Sequence, residues 1–434
     1  MVGRACGFTR GLAVVEPSVQ RELFEHMPWS GPSASSELPA AAWLSALAAL
    51  PGAGPRRLRI LLDGRSPQAA WALVGRGGSR AHAAAIGRGG ADLLSTWAGI
   101  ARTFDVEDFW NESVDRGIGA FWFGSAAFPE AFVGDPEPPA VLFHLGDPDV
   151  IAGPRVAIVG TRKCTRYGHD IARAFARDLS LAGVGVVSGL AIGIDAAAHQ
   201  GAVNAAAAPP VAVVANGLDT VYPRSNRALW EEVVGQGVVL SEGPMGTEPE
   251  RWRFPARNRL VAALADIVIV VESHARGGSM HTVTEAARRG IPVMAVPGPI
   301  HSPATEGTNA LLRDGCAPAC SVDDVLLQLG MSSGAQRPST ELRLEPGGVA
   351  GDVLEALGWL PATAQQLLRS ARCSVAELAG ALEALQTDGW IVETEGWYER
   401  RARPDTPSAA EAAPMDDGDQ RDQGDEGDKG DQGG

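Results

Sequence analysis

Lysine is almost missing from this 434-residue chain: Lys163 and Lys429 are the only two, so arginine supplies nearly all of its 37 basic residues. Acidic residues number 52, and the formal net charge of −15 is, taken as an average, the wrong sign for a protein that holds a polyphosphate ligand. Cysteine is also scarce. Cys6, Cys164, Cys316, Cys320 and Cys373 are odd in number and scattered, which excludes a disulfide framework. The Cys316/Cys320 spacing has no second Cys/His pair to close a tetrahedral zinc site, so free thiols in a reducing compartment are expected. Long apolar runs are lacking too. The longest, Leu260 to Val271, is interrupted by Asp266 and too short to cross a bilayer, and the N-terminal stretch has no sustained apolar core of a signal peptide. The expectation is a cytoplasmic protein with no membrane contact. No G-x-G-x-x-G follows the first expected strand and no G-x-x-x-x-G-K-[ST] occurs, which disfavours dinucleotide binding and P-loop hydrolysis.

The charge that is present is unevenly placed. Residues 404–434 hold ten acids and two bases, a net of −8, in Gly-Asp-Gln repeats with almost nothing to bury. Residues 155–330 hold sixteen bases and sixteen acids, so local clustering decides what this part attracts. The domain expectations are a disordered extension over 1–39 and a helical segment over 40–110. A core over 111–335 follows, opening with an irregular lead-in over 111–154. A linker over 336–347, a winged-helix-like domain over 348–402 and an acidic disordered tail over 403–434 complete the chain.

From Arg155 onward, short Val/Ile runs alternate with Ala/Arg/Leu stretches: Val156–Val159, Val184–Val187, Val211–Val214, Val238–Leu240, Ile267–Val271 and Val293–Val296. Continuous rather than alternating apolar runs mark strands buried on both faces, and the stretches between are long enough for helical crossovers. The fold class is therefore α/β, a doubly wound, mostly parallel sheet. Ligands of such sheets bind beyond the carboxyl ends of the strands, and nearly every expected strand end here carries Gly, Ser or Thr. The segment Arg251 to Arg259 packs four Arg with Trp252 and Phe254. Guanidinium groups for phosphates beside an aromatic face for an unpaired base is what single-stranded nucleic acid requires. The same composition fits a solvated helix start with Trp252 and Phe254 as core plugs.

The strings AIVGTR (157–162), SGLAIGIDAAAH (188–199), NGLDTVYPRSN (216–226), LSEGPMG (240–246), FPARNRLVAAL (254–264), GGSMHTVTEA (277–286), AVPG (295–298) and EGTNALLRDG (306–315) occur in this order. Together they resemble the DNA-processing protein family DprA, also called Smf. The resemblance covers residues 155–330 closely. It implies an extended Rossmann-like core that binds single-stranded DNA without catalysis and without a cofactor or metal. It further implies a homodimer that acts in natural transformation, loads the RecA recombinase and displaces single-strand-binding protein. Carried onto this chain, it assigns a backbone phosphate to Gly160, Thr161 and Arg162. Ser188, Gly189, Gly193, Gly277, Gly278 and Ser279 would line the same pocket through backbone N–H groups. Arg251, Phe254, Arg257 and Arg259 would form the basic and aromatic stretch, with Phe254 stacking on a base. Asn258 is counted with them, although with Asp195 it also reads as a cap for turns beneath the pocket. Ile192 departs from the family, which usually has Arg there, and Arg166 or Arg224 is the expected compensation.

Leu50 to Leu58, with its Pro-Gly-x-Gly turn, resembles a helix-hairpin-helix of the kind that presents N–H groups to a DNA phosphate, with Arg56, Arg57 and Arg59 beside it. The C-terminal segment resembles a winged helix. Its candidate recognition helix, however, carries Glu377 and Glu383 and no base, so a protein contact is expected rather than groove readout. Two alternatives remain in view. GGSMHTVTEA weakly resembles the nucleotide phosphoribohydrolases, whose catalytic acid would be Glu285, and an adaptor with secondary DNA binding is the other. His199, His274 and His281 lack metal-ligand spacing.

Overall fold

The computed structural model describes residues 38–331, 346–358 and 361–401. Residues 1–37 of the expected extension (1–39), most of the linker and the acidic tail lie outside the described residues. The chain divides into two compact units, residues 1–339 and 340–434, and each is described by itself.

The first unit opens with six helices, Ala40–Ala49, Pro55–Leu62, Pro67–Gly75, Arg80–Ile86, Gly90–Ala101 and Val106–Asp115. Local chemistry fixes several of their starts: Ser66, Ser79 and Asp105 accept the N–H groups of Ala69, His82 and Asp108, and Pro55 and Pro67 occupy first-turn positions where a missing N–H is harmless. Nine strands follow: β1 Gly119–Trp122, β2 Val141–Gly146, β3 Arg155–Val159, β4 Gly185–Ser188, β5 Val211–Val214, β6 Val238–Ser241, β7 Ile267–Val270, β8 Val293–Ala295 and β9 Ala317–Pro318. Their order across the sheet is β1-β2-β6-β5-β4-β3-β7-β8-β9. Every pairing among β3 to β9 is parallel, while β1–β2 and β2–β6 are antiparallel. This is the doubly wound, mostly parallel, Rossmann-like sheet that the Val/Ile runs predict.

The lead-in over 111–154 is not irregular, as expected, but supplies β1 and β2. Its strands are hard to read because both faces are covered. Val141 and Phe143 join one core cluster, and Leu142 and Phe121 join the other, so polar alternation is lost. The helical segment does not stand apart either. Leu44, Leu47 and Trp97 share one cluster with Val141, Phe143, Trp230 and Val239, and the last helix runs past the expected boundary at 110 to Asp115.

In the second unit, helices Gly348–Leu357, Ala364–Ser370 and Val375–Thr387 pack with a three-stranded sheet ordered β10 (Ala362–Thr363), β12 (Trp397–Arg400), β11 (Ile391–Thr394). Glu395 and Gly396 turn the hairpin with φ of 53° and 83°, the pair of positive values that a tight hairpin needs. Glu377 closes a capping box with Ser374 at the start of the third helix. Val353, Leu354, Leu367, Leu382, Leu385 and Ile391 form the core.

Candidate nucleic-acid interface

β3 lies between β4 and β7, and successive strands then run outward in both directions. This reversal of strand order opens a crevice beyond the carboxyl ends of the strands. There a pocket of about 60 Å³ has Arg162, Gly189, Ile192, Asn216, Tyr222 and Phe254 among its walls. Arg162 comes from the turn after β3, and Phe254 from the first turn of the helix Arg253–Ala263. The Arg162 guanidinium lies over the Phe254 ring, 4.7 Å from its centroid, and the Tyr222 ring tilts against the same ring at 5.7 Å. The arrangement joins a cation to an aromatic face at the mouth of a mostly apolar hollow. Ile192 is 45% exposed at the wall.

Exposed cations stand on the loops that follow the carboxyl ends of the strands, Arg162 among them at the pocket wall. Arg162, Lys163, Arg224, Arg251 and Arg276 are exposed, and none forms an ion pair with an acidic group among the described residues. They come from the loops after β3, β5, β6 and β7. Trp252 is 60% exposed beside Arg251, its ring under the Arg253 guanidinium and its N–H donated to Glu250. Among the arginines expected to compensate for Ile192, Arg166 is paired with Asp170, and Arg224 is unpaired.

Several expected contacts point elsewhere, and the reasons are local. Arg257 is 7% exposed. It donates to the carbonyls of Gly189 (3.0 Å) and Val213, and its Nε donates to Asn258 Oδ1. Arg259 is equally buried, donating to the Glu137 carbonyl and pairing with the Glu242 carboxylate. Only Arg251 of the three arginines assigned to this stretch is free to meet solvent. Ser188 is buried and donates to the Ile158 carbonyl at 2.7 Å. The Thr161 N–H is taken by the Glu272 carbonyl at 2.8 Å. Gly160 and Gly193 serve the packing of one turn on another: a Cβ at Gly193, where φ is 84°, would stand 2.5 Å from the Thr161 carbonyl oxygen. Gly277, Gly278 and Ser279 do not line the pocket. The Gly277 N–H bonds to His274, Ser279 Oγ to Ser273 Oγ at 2.8 Å, and the Gly278 carbonyl accepts from Asn258. Neither Asn258 nor Asp195 lines the pocket, and Asp195 is buried with the Arg257 and Arg162 charges facing it.

The Pro-Gly-x-Gly turn also differs from its expected role. The N–H groups of Ala53 and Gly54 bond to Leu50 and Gly52, Arg57 donates to the Gly52 carbonyl, and Arg59 to that of Pro138. Glu285 is absent from the pocket wall. Burial pushes its carboxyl up, but hydrogen bonds from Arg289 and Arg288 outweigh that and hold it below the usual carboxylate range. Tyr222 and Ile192 were not singled out as pocket walls by sequence reasoning. The signal available was an aromatic beside Pro223 in the loop after β5.

A family model for DNA recombination-mediator protein A matches residues 120–330. The chain is 34% identical over 216 residues to the DNA processing protein DprA of Bacillus subtilis, covering 50% of this chain and 72% of that one. It is 32% identical over 286 residues to protein Smf of Escherichia coli, covering 64% and 76%. The chain belongs to the DprA family of DNA processing proteins. The X-ray structure of DprA from Streptococcus pneumoniae superposes with a TM-score of 0.56 at 27% identity, covering 67% of this chain and 98% of that one. The stretch matched to the DprA model holds every wall of the pocket and all five unpaired cations, whereas the first six helices and the second unit lie outside it.

Proposed function

We propose that this DprA-family chain binds single-stranded DNA without sequence preference and without catalysis, protects incoming strands and loads the RecA recombinase on them. The observation that carries the reading is the Arg162 guanidinium stacked over Phe254 at an apolar pocket, with further exposed cations on the loops at the same ends of the strands, none in an ion pair among the described residues. Guanidinium groups take phosphates of any sequence, and an aromatic face takes any base, so the pair gives affinity without readout. A catalytic reading lacks its acid, since Glu285 is held by two arginines away from the pocket. No helix of the described residues is long and apolar enough to cross a membrane. A cytoplasmic setting is part of this reading and rests on the few cysteines, of which Cys164, Cys316, Cys320 and Cys373 are free thiols. Homodimerisation, contact with RecA and displacement of single-strand-binding protein rest on the family resemblance.

The test is fluorescence anisotropy with labelled oligo-dT and with duplex of equal length. The protein is expected to prefer the single strand, and Phe254→Ala is expected to weaken it by about 1–3 kcal/mol, the range for one lost base stack. Equal affinity for duplex, or an unaltered Phe254→Ala, contradicts the reading.

A further inference from the structure

Beneath the pocket lies a group of titratable side chains withdrawn from solvent: Asp195 and His199 on the helix Ile194–Ala205, and Arg257 on the helix Arg253–Ala263. Arg257 reaches two adjacent strand ends at once, through the carbonyls of Gly189 after β4 and Val213 in β5. Asp195, in the first turn of the helix that follows the same turn, is buried with its carboxylate facing the Arg257 charge. The turn so held supplies Gly189, Ala191 and Ile192 to the pocket wall. Phe254 stands three residues before Arg257 on the same helix, so the arginine ties the helix that carries the base-stacking ring to the turn that supplies the Gly189 wall. The fit leaves no slack: a Cβ at Gly189 would overlap the Arg257 guanidinium. A buried guanidinium is seldom the most stable filling for a core, so its presence calls for a geometric reason. Its planar fork can bond two carbonyls in fixed directions, which a lysine ammonium does not reproduce.

We propose that Arg257 is a positioning residue of the DNA site: it sets the Gly189–Gly193 turn against the helix that carries Phe254 before the strand arrives, and itself meets no phosphate. The assignment rests on the single-stranded DNA reading above. Salt dependence separates the two roles, because each phosphate neutralised on a single strand adds about 0.7 to the log–log slope, while a positioning residue adds nothing.

The experiment compares full-length wild type, Arg162→Ala, Arg257→Gln, Arg257→Lys and Gly189→Ala for oligo-dT affinity over a salt series, with thermal midpoints recorded for each. Arg257→Gln is expected to weaken binding on the order of tenfold at every salt concentration with the wild-type slope, and Arg257→Lys, which keeps the charge, is expected not to restore it. Gly189→Ala keeps Arg257 and its charge but displaces it. It is expected to give the same loss at unchanged slope, and it answers the question if Arg257→Gln fails to fold. A slope flattened by about 0.7 in Arg257→Gln, rescue by Arg257→Lys, or wild-type affinity in Gly189→Ala overturns the proposal. Failure of the underlying reading shows differently: wild type without affinity, or Arg162→Ala with an unchanged slope.

Discussion

At the scale of single residues, side chains at the strand ends divide into those facing the crevice and those facing the core. Ile192 occupies a pocket-wall position where the resemblance to the family leads one to expect an arginine. Ile192→Arg should therefore steepen the salt slope of oligo-dT binding by about 0.7 and tighten binding at low salt. An unchanged slope would mean that this wall lies off the path of the strand. His199 makes a second prediction. It is fully buried and neither ring nitrogen has a hydrogen-bond partner. Burial pushes its imidazole down to about 4, with the Arg257 charge adding to the shift. Between the ordinary value of 6.5 and about 4, the unfolded chain takes up a proton there that the folded chain refuses, so stability falls as pH falls. Urea unfolding at pH 7 and pH 5 should show His199→Leu escaping a loss of about 2 kcal/mol that wild type suffers. Parallel losses would contradict it. Arg162 was legible in the sequence because Gly-Thr-Arg directly follows a Val/Ile run. Arg257 and Arg259 were not, since a run of arginines does not state which face each one takes. The usable signal was spacing: Arg257, Leu260, Val261 and Leu264 form one buried helical stripe.

At the scale of elements, the parallel strands were read closely because continuous apolar runs of four or five residues between helices leave few alternatives. β1 and β2 escaped because antiparallel strands covered on both faces show neither alternation nor a crossover helix. Besides its core packing, this lead-in is tied down by arginines. Asp135 is buried against Arg289, which also holds Glu285, while Arg259 and Arg59 bond to the carbonyls of Glu137 and Pro138. Arg289→Ala leaves the Asp135 carboxylate buried without its partner and should destabilise the chain by about 3–5 kcal/mol. Denaturant unfolding measures this, and the salt slope of DNA binding should stay as in wild type. A loss under 1 kcal/mol would show that the loop relaxes to solvent, by the magnitude of an exposed pair.

Across the whole molecule, a net charge of −15 hides a central region of balanced charge whose loops after β3, β5, β6 and β7 carry five exposed cations in no ion pair among the described residues. The overall sum misleads because −8 of it sits in residues 404–434. Like charges repel an approaching strand over a Debye length of about 10 Å at 0.1 M salt. Removing 404–434 should therefore raise oligo-dT affinity at low salt, with the difference vanishing as salt is raised. Equal affinities at low salt would sink this. The most direct test of the central claim is the slope of log affinity for oligo-dT against log salt for wild type beside Arg162→Ala. If all five cations engage phosphates, wild type gives roughly −3.5 and the variant a slope shallower by about 0.7. A wild-type slope near zero, or two parallel lines, would contradict the assignment of this crevice to single-stranded DNA.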